Sequence, residues 1–173
     1  MMPELADIPN DFIRGELDEF VEREDERTEL ISLYAAAEPH LLEIAAAIIA
    51  GENGPADELT KGALERGSGA LQIMDDGLIA GMALVGIKFR ENFIFVPEVL
   101  ACARAMKAGM AHIEPILSAS GVEPLARVIM GTVKGDLHDI GKNLCIMLMR
   151  GAGFEVVDLG VDTSADEFIY AVE

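Results

Sequence analysis

The chain has 173 residues, 51% of them hydrophobic, with 13 basic and 31 acidic side chains and a formal net charge of −18. That length suits one full domain or two small ones with a real core. The charge speaks against nucleic acid or an anionic membrane surface as partner, because neutralising phosphate takes lysine and arginine. The acidic start MMPELADIPNDF lacks the basic head of a signal peptide, and no apolar run is expected to reach the roughly 18 residues that span a bilayer. Cys102 and Cys145 have no C-x-x-C spacing and are expected to be buried free thiols in a reducing, cytoplasmic setting.

Residues 1–38 read as an acidic N-terminal helical extension. Eleven acidic residues fall in the first 30 against three arginines, and Phe12, Ile13, Leu17, Phe20 and Val21 recur at helical spacing. An amphipathic helix with a solvated face is the expectation, and a docking surface for a basic partner the alternative. Residues 39–118 predict a bundle of four helices. Leu41, Leu42, Ile44, Ala45, Ile48 and Ile49 form a stripe ended by Gly51, and Asn53-Gly54-Pro55 opens a second helix that stops near Gly67. Leu71, Ile73, Met74, Leu78, Ile79, Met82 and Val85 mark a longer or broken helix to about Phe89; a fourth follows Pro97 to near Leu117. Gly77, Gly81 and Gly86 fall inside the third helix, where each costs about 1 kcal/mol relative to alanine. Close helix packing or the approach of a flat ligand would account for them. His40 and His112 lie on helices without partners at metal spacing and are expected to be surface residues or satisfied locally.

Residues 119–125 read as a linker, punctuated by glycine and proline, across which the hydrophobic period changes from helical to strand-like. Then come a strand (Arg127 to Val133), a loop, a helix (Ile140 to Ala152), a second strand (Phe154 to Leu159), and Ser164 with Glu167 at capping-box spacing for a further helix. A crossover of this length predicts a parallel, right-handed unit. The chain ends inside that helix, and two strands do not make an independently stable sheet. The sequence is therefore expected to be a fragment or the product of a truncated gene.

The loop itself, GTVKGDLHDIGKN from Gly131 to Asn143, sits at a strand-to-helix turn, where open α/β folds place their ligands. His138 can give an imidazole nitrogen to a metal, Asp136 can hold the other ring N–H, and Gly141 leaves room for a bulky ligand. A bare D-x-H-x-x-G pattern is a weak signal. In this context it looks like the lower-ligand loop of cobalamin-binding domains. The resemblance to corrinoid proteins of methyltransferase systems, and to the cobalamin module of methionine synthase, extends back through GLIAGMALVGIKFRENFIFVPEVLACARAMKAG and forward through GAGFEVVDLGVD, roughly residues 40 to 173.

The resemblance implies an α + α/β fold: an N-terminal four-helix bundle as cap, then a doubly wound Rossmann-like cobalamin-binding domain, residues 126–173, truncated after its second strand. It implies cobalamin as cofactor, with His138 as the cobalt's lower axial ligand in place of the benzimidazole tail and Asp136 accepting the second ring N–H. Gly135, Leu137, Asp139, Ile140 and Gly141 would lie along the corrin edge. Asp139 is equally able to be only the N-cap of the next helix, and Lys134 and Lys142 are left between corrin amides and solvent. Phe89, Val96 and Val99 match the residues that cover the upper corrin face. The function implied is a methyl carrier, a non-catalytic corrinoid subunit. A substrate:corrinoid methyltransferase would load it, an acceptor methyltransferase would pass the group to a thiol or tetrahydrofolate, and a reductive activase would restore the cobalt. A cobalamin-dependent sensor built from a similar bundle and α/β pair is the alternative. A metal-dependent phosphohydrolase using His138 and Asp139 would need further ligands that the two other histidines do not offer.

Overall fold

In the computed structural model, which describes residues 3–120, 126–151 and 154–172, the backbone divides into two units, Met1–Gly121 and Val122–Glu173. The first is helical. After a short 3-10 turn (Leu5–Asp7), α1 (Asp11–Phe20) begins where Asn10 Oδ1 accepts the Ile13 N–H at 3.0 Å, a side-chain cap worth about 1 kcal/mol. Helix α2 (Glu24–Ala36) follows. Ile8, Ile13, Leu17 and Tyr34 are fully buried, so the acidic segment turns an apolar face inward and belongs to the same unit as the bundle. The Tyr34 hydroxyl donates to the Ala80 carbonyl at 2.7 Å, and burial raises its pKa well above the usual phenol value.

Helix α3 (Pro39–Ala50) is the centre of this unit, with Leu41, Leu42, Ile44, Ala45, Ala47, Ile48 and Ile49 buried. A helix apolar on most of its circumference needs neighbours on several sides. They are α4 (Asn53–Glu65), α7 (Val96–Ser120) and a continuous helical stretch made of α5 (Ala70–Gln72), a π-helical segment (Ile73–Ile79) and α6 (Ala80–Arg90). Two of the three expected glycines let that stretch lie on α3. A Cβ on Gly81 would stand 2.7 Å from Ile48 Cβ and 2.8 Å from the Ala45 carbonyl oxygen; one on Gly77 would stand 3.3 Å from Ile44 Cβ. A Cβ on Gly86 would meet nothing within 4 Å, so helix packing does not explain that residue. Gly109 of α7 is a close approach that the sequence reading missed, with a Cβ position 2.6 Å from Leu78 Cδ2.

Three expectations need correction here. Among the described residues the stretch Ala70–Arg90 is 21 residues long and apolar enough to cross a membrane, contrary to the reading that no run reaches that length. Its Ile73, Leu78, Ala80, Leu84 and Val85 are buried within the unit, and the core helix of a bundle meets the same length criterion. Helix α7 runs through Ser120, so Ala119 and Ser120 are helical rather than linker; residues 121–125 lie outside the described residues. Cys102 is buried, with burial raising its thiol pKa, but Cys145 is exposed.

The second unit is a parallel β-α-β arrangement. Strand β1 (Arg127–Met130) pairs with β2 (Glu155–Asp158) in the register Arg127↔Glu155 to Met130↔Asp158, and α8 (Ile140–Gly151) makes the crossover. Beyond Met130 the ladder continues only as a bridge between Val133 and Thr163, so β1 ends three residues before the expected Val133. Helix α9 (Ala165–Val172) starts from the capping box that the sequence shows: the Ser164 N–H donates to Glu167 Oε2 at 2.8 Å and the Glu167 N–H to Ser164 Oγ at 3.3 Å.

Candidate functional site

The loop after β1 is laced to the loop after β2 at the carboxyl ends of both strands. The Thr132 N–H donates to the Gly160 carbonyl at 2.9 Å, and the Thr163 N–H returns to the Thr132 carbonyl at 2.8 Å. Farther out, Asp162 clamps the site loop twice: its Oδ1 accepts the Gly135 N–H at 2.7 Å, and its own N–H donates to the Asp136 carbonyl at 3.1 Å. Gly135 holds φ +87° and Asp162 φ +57°; glycine adopts that region freely and aspartate more readily than most residues.

Within this frame Asp136 faces His138. Oδ1 of Asp136 accepts the His138 backbone N–H at 2.9 Å and lies 2.6 Å from ring Nδ1. The backbone N–H first, and the imidazole second, hold the Asp136 carboxyl below the usual carboxylate range. An ionised carboxylate only accepts, so the Nδ1–H faces Asp136 and Nε2 is the ring nitrogen turned away from it. The His138 side chain is 98% exposed, and among the described residues nothing pairs with Nε2. Thr132 Oγ1 donates to the His138 carbonyl at 2.7 Å, which fixes the loop where the chain turns toward α8.

The other expected site residues fall around this pair. Leu137 is 73% exposed, and a Cβ on Gly141 or Gly135 would meet nothing within 4 Å, so the ground beside the imidazole is open. Asp139 stands immediately before α8: its carbonyl accepts the Asn143 N–H at 2.8 Å and its carboxylate the Asn143 side-chain amide at 3.2 Å. The Ile140 side chain lies outside the described residues. Lys142 is turned inward, 8% exposed, with Nζ 2.7 Å from Asp158 Oδ1. It ties α8 to the end of β2 and, with the Gly160 N–H, keeps the Asp158 carboxyl below its ordinary pKa. Thr132, Asp162 and the Lys142–Asp158 pair were not singled out from sequence for these roles.

Phe89, Val96 and Val99 lie in the helical unit, around the turn from α6 to α7. Phe89 and Val96 are 36% and 40% exposed, whereas Val99 is 1% exposed. Phe93 and Phe95 in the same turn are also exposed. His40 and His112 have local partners, Ser68 Oγ and Asp57 Oδ1, each at 2.8 Å.

Among the described residues no group of three or more histidine, cysteine or acidic side chains could hold a metal ion together. A lone, oriented imidazole beside open space fits a metal whose other donors come from a macrocycle, in the way a proximal histidine serves haem. Two family models, each described as a B12 binding domain, match residues 41–114 and 126–173.

The chain belongs to the B12-binding proteins.

This B12-binding chain is 36% identical over 130 residues to a corrinoid protein of Desulfitobacterium hafniense strain Y51, covering 73% of this chain and 60% of that one. It is 40% identical over 116 residues to trimethylamine corrinoid protein 2 of Methanosarcina acetivorans, covering 66% and 54%. Its structure is similar to that of the methanol:cobalamin methyltransferase complex from Methanosarcina barkeri, with a TM-score of 0.66 at 32% identity over 91% of this chain and 55% of that one. The chain thus spans little more than half the length of the relatives it matches. The helical unit followed by a Rossmann-like α/β unit is the architecture expected from the sequence, and cobalamin is the cofactor of this family.

Proposed function

We propose that this chain is the cofactor-bearing part of a corrinoid methyl carrier in which His138 is the lower donor to cobalt. The observation that carries the reading is the asymmetry of one ring: Nδ1 is anchored 2.6 Å from Asp136 while Nε2 stands in solvent on an almost fully exposed side chain. When bound, cobalamin supplies the metal centre that accepts and releases the methyl group. The protein supplies the setting. Asp136 fixes the tautomer and leaves Nε2 as the atom through which the imidazole would coordinate the metal. Gly135 and Gly141 leave the loop low enough for a wide planar ligand, which Leu137, Asp139 and Ile140 border. Phe89, Val96 and Val99 are the residues of the helical unit that match the family's cover over the cofactor.

On this reading residues 39–118 are the cap domain and residues 126–173 belong to the cofactor domain. The relatives' names support a substrate:corrinoid methyltransferase as the loading partner. An acceptor methyltransferase acting on a thiol or tetrahydrofolate, and a reductive activase, complete the cycle in the cytoplasm. Reconstitution with hydroxocobalamin tests the site. Absorption spectra, and EPR after one-electron reduction, should show a single axial nitrogen from imidazole, lost in His138→Ala. Asp136→Asn should weaken coordination by roughly 10–100-fold. Benzimidazole still attached to cobalt in the wild-type chain would end this reading.

A further inference from the structure

Residues 11–36 lie outside both matched domains, yet three of their side chains, Glu16, Phe20 and Glu26, meet the end of α6 and the turn that follows it. Lys88, in the last turn of α6, is 8% exposed; its Nζ pairs with Glu16 of α1 and stands 4.2 Å from the centre of the Phe20 ring. The same ring meets Phe93 of the turn, with centroids 5.1 Å apart and planes inclined by 59°. From α2, Glu26 accepts Arg90 Nη2 at 2.7 Å. A solvated acidic face does not account for this. Glu16 and Glu26 are 15% and 19% exposed and grip cations of α6, whereas Asp11 and Asp18 are 92% and 71% exposed.

We propose that α1 and α2 brace this turn and thereby set the position of Phe89 and Val96, with Phe20 as the positioning residue. The inference rests on the reading of those two side chains as the cofactor's cover. Lys88 links the two parts. Its side chain is held by α1, while its carbonyl accepts the Phe93 N–H at 2.8 Å and the Ile94 N–H at 3.4 Å. Loss of the Phe20 ring removes both the face on which the Lys88 ammonium rests and the neighbour that orients Phe93.

Amide hydrogen exchange on the intact chain without cofactor tests the brace, with the amides of α3 as reference. In Phe20→Ala, exchange at Phe93 and Ile94 should accelerate about tenfold, the scale of one aromatic contact plus one cation–π contact. The acceleration should be smaller in Phe20→Leu, which keeps apolar volume, and absent in Phe20→Tyr, which keeps the ring. Affinity for methylcobalamin, followed by spectrophotometric titration, should fall in the same order and recover in Phe20→Tyr. If α3 loosens in Phe20→Ala, Phe20→Leu decides. Unchanged exchange at the turn in Phe20→Leu overturns the brace. Faster exchange with unchanged affinity keeps the brace and removes Phe89 and Val96 from the cofactor's cover. A wild-type chain that binds no methylcobalamin counts against the cofactor reading alone, and the exchange result still decides the brace.

Discussion

In the helical unit Leu41, Ile44, Ile48, Ile73 and Leu78 are all fully buried, and glycines are spent on bringing backbones together. In the α/β unit the buried residues among those described are Ile146, Val156 and Thr163, with the Lys142 side chain also turned inward, and the site loop is held by hydrogen bonds at the surface. The contrast separates two ways of positioning a group. Apolar packing positions side chains through volume, which neither pH nor salt changes. The loop positions His138 through aspartates, whose hold depends on their charge.

The largest effect should come from the packed side. Ile48→Ala leaves a cavity under α6 and should cost about 2–5 kcal/mol of unfolding free energy, read by urea denaturation at 222 nm, while NMR shifts of Asp136 and His138 stay in place. A shift at the loop would break the separation. A pair of identical substitutions on one helix sharpens it further. Gly81→Ala drives a methyl into Ile48 and the Ala45 carbonyl and should cost about 1–3 kcal/mol. Gly86→Ala meets open space and should stabilise by about 0.5–1 kcal/mol.

On the loop side the effects are smaller and local. Asp162→Gly keeps the backbone conformation and loses the acceptor, so exchange of the Gly135 amide should rise by up to about tenfold, the worth of one hydrogen bond. Asp162→Asn keeps both and should match wild type. Acidification gives the smallest change. The Asp136 carboxyl is held below its ordinary value, so its grip on the His138 N–H and ring is complete above about pH 4 and lost as pH falls through the depressed value. Chemical shifts of His138 should move in that window while those of α3 do not. A coincident change in α3 would mean that the two regions are not independent.

The site loop was legible because its chemistry is local. Asp136 and His138 are two residues apart, so one turn of loop suffices to bring a carboxylate to a ring nitrogen, and a strand before and a helix after place that turn at a sheet end. The capping box at Ser164 and Glu167 was legible for the same reason. Asp162 and the inward turn of Lys142 were not, since each meets partners 16 to 27 residues away and depends on the register of β1 with β2. Val99 was set beside Phe89 and Val96 by the resemblance alone, and packing distinguishes it from them by burying it.

What the amino-acid order determined alone is whatever repeats or closes within a few residues: the helical periods of α3 and α7, the parallel crossover around α8, and the His–Asp pair with its tautomer. What only the tertiary structure decided is which charges turn inward. Glu16 and Glu26 are indistinguishable in sequence from the nine other acids of the first 30 residues. They differ because Lys88 and Arg90, more than 60 residues on, are brought within reach of them. A charged side chain leaves water only where a partner already stands, and that partner is supplied by the fold.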